Sequence, residues 1–293
     1  MKIAVLGGSG FIGSHVADEL SKRGHKVTIF DKRKSKWLRS DQKMLVGDIF
    51  NYDALENAIK GNRMVYNFAA LSDLNKAMSE PLISARINIL GTVQALNLCH
   101  KYKVKRFIHA SSIYATSSQG GFYSCSKRAA DDFVEEFNKS YKLNYTILRF
   151  GSVYGLRSDN SNGLLKIVDK AIRQKKIIYQ GNKKTVRKYI NVIDAAKACA
   201  EVLKDSYKNK CIILTGKKST KISELLKFIA KSLKINSKII FKNDKTNSGH
   251  YIETPKAYKA KKGRRLLFKS NINFFNDLFN LIKDLKKINE KSR

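Results

Sequence analysis

The apolar run Ile3-Ala4-Val5-Leu6 breaks on Gly7-Gly8-Ser9-Gly10-Phe11-Ile12-Gly13, and a helical pattern over Gly10–Arg23 starts within that same stretch. A strand that turns through glycines directly into a helix belongs to a parallel sheet with helical crossovers. Gly7, Gly10 and Gly13 stand three residues apart. Glycine lets such a turn close tightly and lets the backbone approach a pyrophosphate, which the N–H groups and positive dipole end of the helix then attract. The spacing GxxGxxG departs from the common GxGxxG. The strand before and the helix after it point to a dinucleotide site rather than a flexible turn.

The rest of the first half keeps the same rhythm. Lys26–Phe30, Lys43–Val46, Arg63–Asn67, Arg106–Ala110 and Tyr145–Arg149 read as strands. Asp53–Lys60, Pro81–Tyr102 and Tyr123–Tyr141 read as helices. The alternation predicts an α/β fold with a doubly wound parallel sheet of Rossmann type. After residue 150 the pattern loosens. Leu164–Gln174, Asp194–Lys204 and Ile222–Leu233 read as helices, the last with Ser223 as a candidate cap, and Cys211–Thr215 reads as a further strand. A last helix is expected near Phe274–Lys287 in a basic tail that starts at Ser237. The expected division is a dinucleotide-binding domain over 1–150 and a smaller interleaved C-terminal lobe over 151–293, with about 191–215 returning to the sheet.

Asp31 closes the second strand, where an acid accepts from the adenosine ribose hydroxyls and repels a 2′-phosphate. NAD is therefore the expected cofactor, with Lys32 and its basic neighbours Arg33, Lys34 and Lys36 softening the preference. Asp48 and Ile49 follow the third strand, and Phe68, Ala69 and Ala70 the fourth. Ligands lie across these carboxyl ends, where Asp48 can meet the adenine amine and the small alanines let a cofactor pass.

Tyr123 and Lys127 form YxxxK at a helix start, four residues apart and so on one face. A free phenol titrates near pH 10, and a nearby ammonium favours its ionised form. Ser112, after the fifth strand, supplies a hydroxyl for a substrate oxygen.

Composition narrows the partners. Lys+Arg number 58 against 24 acids, a formal charge of +34. That favours anionic ligands without choosing among nucleotides, nucleic acids and anionic surfaces. A hydrophobic content of 43% supplies an ample core. Cys99, Cys125, Cys199 and Cys211 show no paired spacing and read as reduced, mostly buried thiols of a cytoplasmic protein. The N-terminal apolar run is too short for a signal peptide, and no stretch is expected to reach the roughly 20 apolar residues of a membrane span. The histidines show no metal spacing, so no metal site is expected.

Together Gly7/Gly10/Gly13, Asp31, Gly47-Asp48-Ile49, Asn67–Ala70, Asn88 with Gly91-Thr92, Ser111-Ser112 and Tyr123/Lys127 occur in the order seen in extended short-chain dehydrogenases/reductases. The chain resembles the NAD-dependent nucleotide-sugar epimerase/dehydratase family over about 1–215. The resemblance implies a Ser112-Tyr123-Lys127 triad, with Lys127 also on the nicotinamide ribose. It implies cofactor contacts from Phe11, Ile12, Asn88, Phe150 and Val153. It also implies that Leu71, Tyr114, Ser152 and Arg187 meet a nucleotide sugar, with Arg187 on the diphosphate; His250, in Gly249-His250-Tyr251, is a further candidate substrate contact. A homodimer is the candidate assembly.

Three departures bear on the substrate. Ser152 stands where the family often has Asn, and Leu156 where it often has Pro. Only eleven positions separate Ser112 from Tyr123. The reaction is read from the residues after Ser112. Ile113 and Tyr114 replace the acid pair usual in 4,6-dehydratases, and no Cys follows the serine soon, as it does in fucose synthases. Epimerisation at carbon 4 through a transient ketone is favoured, with a nucleotide-sugar reductase as the alternative. A nucleic-acid-binding protein is the rival of another class, disfavoured because no aromatic platform interleaves with the basic residues.

Overall fold

The computed structural model describes residues 1–158, 161–236 and 239–242. The chain runs β1 (Lys2–Leu6), α1 (Phe11–Lys22), β2 (Lys26–Asp31), β3 (Gln42–Val46), α2 (Tyr52–Ile59), β4 (Met64–Asn67), α3 (Leu74–Ser79), α4 (Pro81–Ala85), a π-helical turn (Arg86–Leu90), α5 (Gly91–Lys101) and β5 (Arg106–Ser112). A 3₁₀ turn (Ile113–Thr116), α6 (Gly121–Tyr141), β6 (Tyr145–Phe150), β7 (Ser152–Tyr154), α7 (Gly163–Gln174), β8 (Ile178–Gln180), β9 (Val186–Arg187) and β10 (Tyr189–Asn191) follow. The described part ends with α8 (Val192–Glu201), β11 (Lys210–Leu214), β12 (Thr220–Lys221), α9 (Ile222–Ser232) and β13 (Ile240–Lys242).

Among the described residues, one sheet holds seven parallel strands in the order β11-β6-β5-β4-β1-β2-β3. The order reverses at β1, so a crevice opens at the carboxyl ends of β1 and β4. Alternation along β1 explains why the strand reads as a continuous apolar run. Ile3 and Val5 enter one core cluster with Val16 and Leu20 of α1 and Ala195 and Cys199 of α8. Ala4 and Leu6 enter another with Leu55 of α2, Leu96 of α5 and Val134 of α6. Each of the Val, Leu and Ile side chains contributes about 1.5–3 kcal/mol when fully buried. Two polar ties fix α8 to the sheet. The Tyr66 hydroxyl donates to Cys199 O at 2.6 Å, and buried Arg106 donates to Val202 O at 2.8 Å and Asp205 Oδ1 at 2.7 Å.

A third cluster lies among α7, β8 and α9, with Ala171, Ile177, Ile222, Leu226 and Ile229 at its centre. β11 pairs with β6, so the expected strand after residue 210 does join the main sheet. Ser223 lies inside α9, whose N-cap is Lys221 with no side-chain cap. The helix starts at Ile222 because that residue is drawn into the third cluster. α3 is an element the periodicity missed, although its cap was legible: Asp73 accepts from the N–H groups of Asn75 and Lys76. Cys99 and Cys199 are buried, but Cys125 and Cys211 are exposed.

The continuous helix Pro81–Lys101 is long and apolar enough, by length and composition alone, to cross a bilayer. Its Ala95, Leu96, Leu98 and Cys99 instead pack into the second core cluster. The expected last helix and His250 lie outside the described residues.

Candidate active site

A cleft of about 690 Å³ runs across the carboxyl ends of the sheet. Its floor is the glycine turn. Gly7 has φ +74°, and a Cβ there would lie 2.5 Å from Ala69 N. A Cβ on Gly13 would lie 2.3 Å from Gly7 O. Both neighbours are backbone and cannot swing aside, so these two positions require glycine. Gly10 caps α1 with no side chain, leaving the helix end open toward the cleft. A side-chain-free cradle at the positive end of a helix fits the pyrophosphate of a dinucleotide.

At one end of the cleft, Asp31 accepts from Ser9 N and Arg33 N, each at 3.1 Å. These bonds tie the carboxylate to the glycine turn and set its orientation. Lys32, Asp48 and Ile49 stand beside it, and the Asp48 side chain turns back to accept from Phe50 N at 2.9 Å. At the other end are Ser112, Tyr123, Lys127, Phe150 and Val153. β5 delivers Ser112, whose Oγ accepts from Tyr114 N at 3.2 Å and lies close enough to the Tyr123 phenol to lower its pKa. Gly120 and Gly121, both with positive φ, carry the short connection from the 3₁₀ turn into α6. Tyr114 packs edge-on against Tyr123 at 6.1 Å, and a Cβ on Gly120 would strike the Tyr114 ring at 2.5 Å. The short loop is thereby packed against the start of α6.

Lys127 is 3% exposed and donates from Nζ to Ala110 O at 2.8 Å. Burial pulls its pKa down to about 8, against a smaller upward pull from Asp131. Burial pushes the Tyr123 phenol up to about 12, and the neighbouring Ser112 hydroxyl only partly offsets it. Burial thus governs the phenol, and the Lys127 ammonium is engaged with the Ala110 carbonyl.

The cleft gathers Gly7, Gly10, Phe11, Ile12, Gly13, Asp31, Lys32, Asp48, Ile49, Phe68, Ala69, Ala70, Ser112, Tyr123, Lys127, Phe150 and Val153. It does not gather Asn88. That side chain accepts from Leu71 N at 2.7 Å and donates to Leu71 O and Ser126 Oγ at 3.1 and 2.9 Å. These bonds pin the loop after β4 to α6, and Asn88 does not line the cleft. Of the residues expected to meet substrate, Leu71 lies in that loop, packed near Ile113 and Tyr123. Tyr114 is buried behind Tyr123, while Ser152 stands on β7 beside the cleft-lining Gly151 and Val153. Arg187 stands on β9, paired with Thr220 of β12, and does not line the cleft.

Sequence reading also missed cleft residues. Arg86 and Ile87 line the cleft from the π-helical turn, and the Arg86 guanidinium stacks on Phe50 at 4.7 Å. A π-helical turn interrupts an unbroken apolar pattern without a sequence mark. Asn162 also lines the cleft, and its role as the cap of α7 was legible.

The comparisons agree with this geometry. The chain matches the model of the NAD dependent epimerase/dehydratase family over residues 3–213. A Methanocaldococcus jannaschii protein assigned as a UDP-glucose 4-epimerase is 28% identical over 280 residues, covering 87% of this chain and 90% of the relative. The UDP-glucose 4-epimerase of Thermotoga maritima, solved with UDP-glucose, superposes with a TM-score of 0.80 at 24% identity, covering 88% of this chain and 90% of that one. The UDP-glucuronic acid 4-epimerase of Bacillus cereus, solved with UDP-glucuronic acid and NAD, superposes with a TM-score of 0.79 at 22% identity, covering 87% and 89%. With the glycine cradle, Asp31 and the Tyr123–Lys127 helix on one cleft, the chain belongs to the NAD-dependent epimerase/dehydratase family and is an NAD-dependent enzyme.

Proposed function

We propose that this enzyme epimerises a UDP-sugar at carbon 4. The observation that carries the reading is the distribution of carboxylates. Among the described residues, the only acids lining the cleft are Asp31 and Asp48, at the ends of β2 and β3. Ser112, Tyr123 and Lys127 stand on β5 and α6, where dehydration or decarboxylation would require a further acid or base beside them. Oxidation and re-reduction of one hydroxyl requires only proton exchange at that oxygen.

NAD, when bound, accepts and returns the hydride and adds positive charge beside the phenol. Ser112 Oγ donates to the reacting sugar oxygen and holds it against Tyr123. The Tyr123 phenol, ionised beside the positive charges of Lys127 and bound NAD, would take the proton as the sugar hydroxyl becomes a carbonyl and return it in the reverse step. Lys127 keeps a positive charge under that exchange. Phe68, Phe150 and Val153 exclude water from it. Residues 151–293 supply most of the sugar-nucleotide lobe and 1–150 the NAD domain, and the enzyme works in the cytoplasm.

The test is single-turnover mixing of NAD-loaded enzyme with UDP-glucose, UDP-N-acetylglucosamine and UDP-glucuronic acid, with products resolved by NMR. A transient of reduced NAD followed by the 4-epimer is expected. Stoichiometric reduced NAD with a stable keto-sugar would point to a dehydrogenase, and no reduction by any UDP-sugar would remove the substrate class.

Two residue roles accompany this reading. Asp31→Ala should weaken NAD by roughly tenfold to a hundredfold, since a charge-assisted hydrogen bond contributes about 1.5–3 kcal/mol, while NADP binding improves. Calorimetry with both cofactors decides, and unchanged discrimination would move the adenosine ribose elsewhere. Arg187→Ala should raise KM for the UDP-sugar at least tenfold with NAD affinity unchanged, because a guanidinium pairs with diphosphate oxygens. Weakened NAD with intact KM would count against it.

A further inference from the structure

Behind the catalytic pair lies a buried charge that the proposed chemistry does not use. Asp131 follows Lys127 by four residues and Tyr123 by eight, so all three share one stripe of α6. It is 2% exposed. Arg149 of β6 holds one carboxylate oxygen, with Nε at 3.1 Å from Oδ2. The other oxygen, Oδ1, has no hydrogen-bond partner and faces Nε2 of His109 of β5 at 3.8 Å. His109 is itself buried, both its ring nitrogens lack hydrogen-bond partners, and burial with the neighbouring Lys127 charge keeps it neutral. Ser111 is close enough to pull the Asp131 carboxyl down, though the two miss hydrogen-bond geometry. The phenol of Tyr145 and the thiol of Cys211, both raised first by burial, also sense this carboxylate and that of Glu135.

A half-satisfied buried carboxylate is costly to keep. Lys127 is equally costly as a buried ammonium, and the only charge that raises its proton affinity is that of Asp131. We infer that Asp131 is a positioning residue which holds Lys127 in its charged form beside Tyr123, with Arg149 anchoring the carboxylate in place. The inference rests on the catalytic reading of Tyr123 and Lys127. Arg149 pairs with Oδ2 through Nη2 at 3.0 Å and favours the ionised carboxylate, while Oδ1 stays without a hydrogen bond. Burial leaves the Asp131 carboxyl with a pKa of about 6, so it is ionised over the range in which Lys127, near 8, must stay protonated. The charged window of the lysine is thus set by the acid one helical turn below it.

The experiment is lysine titration by NMR in protein carrying ¹³C at lysine Cε, with the Lys127 signal assigned by its loss in Lys127→Met. In Asp131→Asn the Lys127 midpoint should fall by about one pH unit, the low end of what a neighbouring opposite charge supplies. The alkaline limb of kcat should move to lower pH by the same interval. Asp131→Glu should restore both. Should the single Asn variant fail to fold because Arg149 is stranded, Asp131→Asn/Arg149→Met removes both charges and gives the same shift. An unchanged Lys127 midpoint in either folded variant overturns the inference. A shifted midpoint supports it even if the parent turns over no UDP-sugar, a result that counts against the proposed reaction alone.

Discussion

Tyr123→Phe is expected to lower kcat by roughly 10²–10⁴-fold, the range that general acid–base catalysis supplies, while leaving fold and NAD affinity almost unchanged. The substitution removes one oxygen. The ring stays in its cluster with Ile113 and Tyr114, so little packing is lost. The lost oxygen lies near Ser112, which still accepts from Tyr114 N and so remains held. Because burial places the phenol near 12, it is a proton donor at neutral pH until positive charge arrives beside it. The rate in the parent should therefore rise with pH on its acid limb, and that limb should vanish in the variant. Stopped-flow absorbance of reduced NAD measures both. A variant that reduces NAD as fast as the parent would exclude Tyr123 from the proton transfer. Ser112→Ala should cost less, because a water can replace one donor in a polar cleft.

The legibility of this chain in its sequence follows from where local chemistry is decisive. The glycine turn could be read because Gly7 and Gly13 face backbone atoms at distances no Cβ tolerates. The strands β1 and β4 could be read because they are buried on both faces and so are written mostly in apolar residues. Asn88 was read as a ligand contact because it falls in a recurrent order of motifs. Its actual partners, Leu71 and Ser126, lie 17 and 38 residues away, and no local pattern reveals which of two polar surroundings an amide will satisfy. The same limit hid Asp131 and His109. Both look like ordinary polar residues until β5, β6 and α6 bring them together, and a buried charge then dominates its neighbours. Arg187 shows the reverse case: its segment was recognised, but its place on β9 is set by pairing with β12, more than thirty residues further on.

Lys127→Met should abolish turnover and yet raise the melting temperature of the cofactor-free protein at pH 7. The activity arm is simple, since the variant removes the only lysine lining the cleft beside Tyr123 among the described residues. The stability arm depends on sign and size. The folded pKa of about 8 lies below the ordinary 10.5, so the native state binds this proton less tightly than the unfolded chain does. A depressed folded pKa means stability that is present above pH 10.5 and is lost as pH falls through 8. At neutral pH the burden is the full shift, about 3 kcal/mol at 1.36 kcal/mol per unit. Methionine escapes it but forfeits the bond from Nζ to Ala110 O, and hydrogen bonds to charged groups contribute about 1.5–3 kcal/mol. The burial term wins narrowly, giving a net gain on the order of 1 kcal/mol and a rise of about 2–4 °C for a chain of this size. Calorimetric melts at pH 7 and pH 10 distinguish this from a plain packing effect. The advantage of methionine should shrink at the higher pH, where the native lysine has already shed its proton. A variant that melts lower than the parent at pH 7, or differs from it equally at both pH values, would show that Lys127 is not held as a strained ammonium. Together with the Asp131 titration, that result would leave the catalytic pair without the charge this site is built to keep.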